Sequence, residues 1–361
     1  MKDQTISLLR ELTHTHGAPG GEHPIRELVC RELEHHTFEH DKLGSLICRR
    51  AGSGDGPTVL ITAHMDEVGF TVQNITSTGF IRFAPLGSWW NQTLLAQRVR
   101  IRTQSDDEIV GVISSIPPHF LDSAARDQVQ SMDKLYIDVG ADSKEEVVRA
   151  YGIGLGDPIV PDADMRILQN PDRLMAKAFD NRVGVGLLIQ SLQLLRDEPL
   201  PNQLVGLGTV QEELGSRGAE TAGWSIRPDA AIILEGPPAD DGPGFPRDEA
   251  QGRLGGGVQI RIQDPTALMN RALIDLAVET ARGLKLPYQL AVRRWGGTDA
   301  RRLQRVMDGV PVVVLGVPSR YIHTHNSIID IHDYSAALQL VIAMVKRMDQ
   351  KAVTALRPQP S

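Results

Sequence analysis

Thr58-Val59-Leu60-Ile61-Thr62-Ala63-His64-Met65-Asp66-Glu67 is the stretch on which the reading of this chain turns. A short run of apolar and β-branched residues leads straight into an imidazole and two carboxylates. Such a run, apolar without alternation, reads as a strand buried on both faces of a parallel sheet. Polar groups just beyond its carboxyl end lie where α/β sheets place their sites. Four more segments carry a comparable ending: Lys177-Ala178-Phe179-Asp180-Asn181, Thr209-Val210-Gln211-Glu212-Glu213-Leu214-Gly215, Ile233-Leu234-Glu235-Gly236 and Arg320-Tyr321-Ile322-His323. All five supply a side chain able to bind a divalent cation. The set holds imidazole and carboxylate but no thiolate, which suits zinc, cobalt or manganese in a hydrolytic site rather than a structural zinc knuckle.

Working outward, the pattern gives an α/β fold with an insertion. Amphipathic helices are expected over residues 4–12 and from Glu22 through Leu33, with strands at 45–48 and 58–63. From about residue 68 to 168 the character changes. Short alternating segments separated by turn residues suggest a small barrel or sandwich. One helical pattern interrupts them near Ser143, a good N-cap. The α/β pattern resumes after Leu174, with a helix from near Asn181, strands at 204–210, 230–234, 258–262 and 311–315, and helices at 270–284 and 335–348. The expected organisation is a discontinuous domain (1–67 and 169–352), an inserted β-rich domain (68–168) and a loose tail (353–361). Gly252 to Gly257 lacks a phosphate-loop pattern and reads as a turn.

Composition narrows the class. The 361 residues carry 45 acidic and 38 basic side chains, a net charge of −7, and no dense basic run. That argues against a nucleic-acid binder. Cys30 and Cys48 are the only cysteines, and sparse cysteine use fits a reducing compartment. Met1-Lys2-Asp3-Gln4 has no apolar signal region, and no apolar stretch is long enough to cross a bilayer. The expected location is the cytoplasm, with no membrane partner.

The polar endings admit more than one role. Asp66, two residues after His64, can accept the second ring N–H of the histidine and orient it. Asp180 stands where a helix begins, so it can be an N-cap, a ligand bridging two cations, or both. Glu212 and Glu213 are adjacent carboxylates; one can hold a metal while the other acts as general base, or Arg217 can neutralise one of them. Glu235 and His323 are otherwise a strand-end charge and a loop histidine, and His325 and His332 read as surface histidines.

As an ordered set, several motifs resemble one family over nearly the whole chain. They are Gly20-Gly21-Glu22, Ala63-His64-Met65-Asp66-Glu67-Val68-Gly69, Ala178-Phe179-Asp180-Asn181-Arg182, Gln211-Glu212-Glu213-Leu214-Gly215-Ser216-Arg217-Gly218-Ala219, Gly296-Gly297-Thr298-Asp299-Ala300 and Arg320-Tyr321-Ile322-His323. The chain resembles the tetrahedral (TET-type) di-metal aminopeptidases, the glutamyl and deblocking aminopeptidase family, some of whose members have been labelled cellulases or endoglucanases. The resemblance implies a three-layer αβα peptidase domain with an inserted barrel-like dimerisation domain. It also implies two divalent metal ions, zinc first, with cobalt or manganese as alternatives. His64, Asp180, Glu213, Glu235 and His323 would be the ligands, with Asp180 shared. Glu212 would be the general base, Asp66 would orient His64, and the Asp180-Asn181 peptide would be cis. Many relatives carry Asp where this chain has Glu235; the sequence resembles the branch with Leu-Glu-Gly. Substrates would be short peptides, and dimers would assemble into a tetrahedral dodecamer.

Three other readings compete. A carboxypeptidase or amide deacylase on the same metals would need a carboxylate or acyl receptor, for which Arg320 and Arg217 are candidates. A glycosidase would need two carboxylates and no metal. A metal-storing assembly protein would need no catalytic base.

Overall fold

The computed structural model describes residues 2–50 and 55–357. Among these, nine strands form one mixed sheet. Its edge-to-edge order is Phe38–His40, Leu46–Arg50, Gln203–Thr209, Thr58–His64, Ala230–Glu235, Val312–Gly316, Val258–Asp264 and Ala267–Leu268, with Tyr288–Val292 also paired to Val258–Asp264. Gln203–Thr209, Thr58–His64, Ala230–Glu235 and Val312–Gly316 run parallel at the centre. Their carboxyl ends come out level, with His64 beside Thr209 and Glu235 beside Gly316. Every residue of Ala230–Glu235 is buried, as expected for an apolar run covered on both faces.

Helices supply the cover. Phe179–Leu195 packs against Lys2–His14 and Ile331–Arg347, and the latter against Arg271–Gly283; Arg217–Ile226 packs with Ala300–Leu303. The result is the three-layer α/β architecture anticipated from the sequence. The small-residue run after Asn181 has a packing reason. A Cβ on Gly184 would meet the Leu234 carbonyl oxygen at 2.6 Å, and one on Gly206 would meet Leu192 at 2.6 Å. Glycine at these positions lets the Phe179–Leu195 helix lie close on the sheet.

Between Glu67 and Asp162 the chain builds a closed six-stranded barrel, in the order Gly69–Ile75, Ile81–Leu86, Tyr136–Asp138, Glu108–Ser114, Arg98–Arg102 and Pro158–Pro161. Closure removes exposed sheet edges. The barrel has its own core, including Phe70, Phe83, Val99, Ile113, Ile137 and Ile159, separate from that of the large sheet. Phe70 stacks on Trp89 with ring centroids 4.7 Å apart. Ser143 caps its short helix by accepting the Glu146 N–H. A second small helix, Ser123–Arg126, was not foreseen; four residues are too few to show helical periodicity.

Two expectations are corrected. The last long helix starts at Ile331, capped by Asp330, because the Asp330 side chain satisfies the His332 N–H. Residues 353–357, expected to be loose, are packed. Asp349 caps a helix over Gln350–Thr354, and Val353 and Leu356 are buried against the main core. Residues 358–361 lie outside the described residues. No helix among the described residues is long and apolar enough to cross a membrane.

Candidate active site

Four level strand ends leave a cavity of about 290 Å³ above the sheet, lined in part by His64, Asp180, Glu212, Glu213, Glu235 and His323. His64 is the last residue of its strand and Glu235 the last of the neighbouring one. Asp180 comes from the turn entering the Phe179–Leu195 helix, where the Asp180-Asn181 peptide is cis. Asn181, not Asp180, does the capping: its side chain accepts the Gly184 N–H at 3.0 Å and donates to the Leu234 carbonyl at 2.8 Å. The Asp180 carboxylate is thereby left to the cavity.

The imidazoles share one arrangement. His64 Nδ1 faces the Asp66 carbonyl oxygen at 3.1 Å, and His323 Nδ1 faces the Ser88 carbonyl oxygen at 2.9 Å. A proton on Nδ1 in each ring leaves Nε2 with a lone pair pointing into the cavity. His64 Nε2 lies 3.2 Å from Asp180 and 3.7 Å from Glu235. His323 Nε2 lies 3.4 Å from Asp180 and 3.2 Å from Glu213. Two three-residue groups result, His64–Asp180–Glu235 and Asp180–Glu213–His323, each with ligand atoms within 4.8 Å of one another. Glu212 forms a third such group with His64 and Glu213.

The donors fit a pair of divalent cations. Glu235 Oε1 is buried without a hydrogen-bond partner, a costly state for a carboxylate unless a cation completes it. Burial pushes Glu212 and Glu235 well above the usual carboxylate range, against the opposing pull of His64. Burial disfavours the charged form of His64 too, yet hydrogen bonds to Asp180 and Asp66 and the charge of Glu235 carry it well above its ordinary value. Oxygen and imidazole ligands in this number suit zinc and its neighbours.

Other expectations are revised. The Asp66 side chain faces His64 with its nearest oxygen 3.5 Å from Nδ1, farther than the main-chain carbonyl of Asp66 at 3.1 Å. Its carboxylate also accepts the N–H groups of Glu212 and Glu213. Arg217 donates to Gln211 rather than to either glutamate; Ser216 Oγ donates to Glu212 Oε1 at 2.9 Å. Arg320 is held by Asp241 in a two-point ion pair at 2.7 Å, so Arg320 is not a free carboxylate receptor. His325 is buried, its Nε2 facing the Arg98 carbonyl, because the barrel covers it. Sequence reasoning missed Ser88, Arg261 and Arg301 in the cavity wall. It also missed a fully buried network beneath, in which Glu67 takes hydrogen bonds from Lys177 and Arg182.

An α/β sheet carrying paired ligand groups at its strand ends defines the class of metal-dependent hydrolases. Residues 44–340 match the family model of the M42 glutamyl aminopeptidases, and the chain belongs to that family of metal-dependent aminopeptidases. It is 36% identical to a relative from Escherichia coli K12 that carries an aminopeptidase name, FrvX, with 97% of each chain covered. It is 31% identical to the glutamyl aminopeptidase of Lactococcus lactis (97% of this chain, 98% of that one). It is also 31% identical to the lysyl aminopeptidase of Pyrococcus furiosus (94% and 96%). Among solved structures, a TET aminopeptidase from a marine sediment archaeon of the Thaumarchaeota superposes with a TM-score of 0.94 at 36% identity, covering 98% of this chain and 99% of that one. The Pyrococcus horikoshii TET1 peptidase, which can assemble into a tetrahedron or a large octahedral shell, gives 0.83 at 30%, covering 94% and 99%.

Proposed function

We propose that the chain removes N-terminal residues from short peptides at this cavity, with two divalent cations held by His64, Asp180 and Glu235 on one side and by Asp180, Glu213 and His323 on the other. The observation that carries the reading is that Asp180 belongs to both groups. When bound there, such cations supply Lewis-acid chemistry, acidifying water and polarising a carbonyl oxygen. Zinc is the first choice for this ligand set, with cobalt and manganese next.

Glu212 is the general base. Ser216 holds its Oε1, and the carboxyl lies in the cavity wall. It takes a proton from the attacking water as the oxygen bonds to the scissile carbonyl carbon. It returns that proton to the amine nitrogen as the C–N bond breaks. The carboxylate-rich floor suits the free amino end of a peptide, which accounts for removal of one residue at a time. Asp66 is a positioning residue that holds the main chain under Glu212 and Glu213.

The barrel serves as the surface through which copies dimerise, and dimers build a closed dodecameric shell that admits only unfolded or short peptides. The assemblies of the TET1 relative support this reading. Work in the cytoplasm fits the two reduced cysteines. The test is a titration of chelator-treated protein with zinc, cobalt and manganese, assayed on aminoacyl nitroanilides with free and blocked amino ends. Restored cleavage of free-ended substrates alone is the expected outcome. Cleavage of blocked substrates, or activity indifferent to chelation, overturns the reading.

A further inference from the structure

Gly20-Gly21-Glu22 supplies neither a metal ligand nor the base, yet it delivers a carboxylate to the loop that carries both. Ala18-Pro19-Gly20-Gly21 is a tight turn, closed by the Gly21 N–H on the Ala18 carbonyl at 2.8 Å. Gly20 takes the positive φ, 85°, that the third position of such a turn demands. The Gly17 carbonyl accepts the Glu67 N–H at 3.0 Å, which sets this turn beside the strand end bearing Asp66. Glu22 follows at the N-cap of the helix His23–Glu32, but its side chain makes no cap bond there, the ordinary employment of a polar residue at that position. It is 4% exposed, and its Oε1 accepts the Gln211 N–H at 3.0 Å, from 189 positions away.

Gln211 immediately precedes the glutamate pair, and its φ is +56°, in the left-handed region that is costly for any residue but glycine. Such a conformation persists only where its surroundings hold it. Two buried carboxylates do so here. Glu22 takes the N–H of Gln211, and Asp66 takes those of Glu212 and Glu213, so three consecutive main-chain donors are fixed from outside their own loop. The Gln211 side chain is spent on Arg217 at 3.2 Å, which leaves the main chain as its link to Glu22. Burial, reinforced by the charge of Asp66, pushes the Glu22 carboxyl up to about 7, so a neutral amide in its place disturbs the local charge little.

We propose that Glu22 is a positioning residue for the reaction: by holding Gln211 in its left-handed turn, it aims the Glu212 and Glu213 carboxylates into the cavity. This rests on the reading of Glu212 as general base and Glu213 as ligand. The role asks for an acceptor oxygen at the right reach, not for a charge.

The test uses Glu22→Gln, Glu22→Asp and Glu22→Ala, each alone and combined with Gln211→Gly, on a free-ended aminoacyl 4-nitroanilide at saturating metal. Glu22→Ala is expected to lower kcat about 10–100-fold with KM little changed. Glu22→Gln keeps the acceptor and should retain most of kcat; Glu22→Asp keeps the charge but stops a methylene short and should retain less. Glycine adopts the left-handed turn unaided, so Gln211→Gly should return about tenfold in kcat to Glu22→Ala. A general loss of fold would not be repaired in this way. A second readout needs neither metal nor turnover. In the metal-free protein, hydrogen exchange over residues 211–213 should quicken in Glu22→Ala and stay near wild type in Glu22→Gln. If Glu22→Ala does not fold, the order of Glu22→Gln over Glu22→Asp, read by kcat and by exchange, decides. Full kcat or unchanged exchange in Glu22→Ala, aspartate outperforming glutamine, or no recovery on Gln211→Gly overturns this inference and leaves the aminopeptidase reading standing. A metal-loaded wild type that cleaves no free-ended substrate overturns both.

Discussion

Asp66 and Glu212 are joined through the main chain: the two Asp66 oxygens accept the N–H groups of Glu212 and Glu213, each at 3.0 Å. One side chain on one strand end therefore sets the height of two neighbouring carboxylates on another. Asp66→Asn presents an amide N–H where one oxygen accepted, so one of those bonds is lost. Turnover should fall about 10–100-fold, the usual cost of disturbing the support of a metal ligand. Steady-state kinetics with saturating metal checks this, and unchanged kcat would count against it.

Glu212→Gln should behave differently. The amide keeps the size and the Ser216 contact but cannot accept the water proton. Loss of about 10²–10⁴ in kcat is expected, with metal content preserved. Elemental analysis beside the assay decides; metal loss with full activity per bound ion would assign Glu212 a ligand role instead.

Glu235→Ala removes a ligand from one group and leaves Asp180–Glu213–His323 complete. Metal per subunit after dialysis should fall from about two towards one, the loss being on the His64 side. Native mass spectrometry reads it directly. Retention of two ions by the variant would remove Glu235 from the ligand set.

Beneath the site, Lys177 Nζ lies 2.5 and 2.7 Å from the two Glu67 oxygens, and all three members of the Glu67–Lys177–Arg182 network are buried. Lys177→Met leaves Glu67 with only half its compensation. Breaking a buried pair from one side costs about 3–5 kcal/mol, so denaturant unfolding of the metal-free protein should register a loss of that order. A loss under about 1 kcal/mol would place the network among neutral ion pairs.

Asp333 predicts a pH dependence. Its oxygens accept the Gly255 and Gly257 N–H groups at 2.7 Å each, yet burial pushes its carboxyl up to about 6. In the unfolded chain the group titrates near its ordinary value of about 3.9. Between these values the folded state holds the proton and the unfolded state does not. Stability from this group is therefore full below about pH 4 and declines until about pH 6. Asp333→Asn should flatten that part of the profile. Melting temperatures of metal-free wild type and variant across pH 4–7 provide the check; parallel curves would refute it.

Much of the site was legible because the residues that gather there follow apolar runs. His64 and Glu235 end strands whose composition already announces burial, and Asp180 precedes a small-residue run that only close helix–sheet packing explains. What could not be read has physical reasons too. Ser88 acts through a carbonyl oxygen, which every residue possesses. Arg261 sits mid-strand, where one polar residue between Ile260 and Ile262 looks like ordinary alternation. His325 looked like a loop residue because nothing local tells that the barrel will cover it. Glu67, Lys177 and Arg182 lay within the quoted segments, but the contact of Glu67 with the other two is a matter of folding across more than a hundred residues. The alternation over 68–168 pointed to a small barrel or sandwich, but not to the pairing that closes it.

The contact between Ser88 and His323 bears on how such a protein can change over evolutionary time. The histidine leans on a peptide group contributed by the barrel, not on a side chain. Any amino acid that keeps the local path of the backbone serves equally well. The outer face of the barrel is thus free to drift while the cavity keeps the orientation of its imidazole.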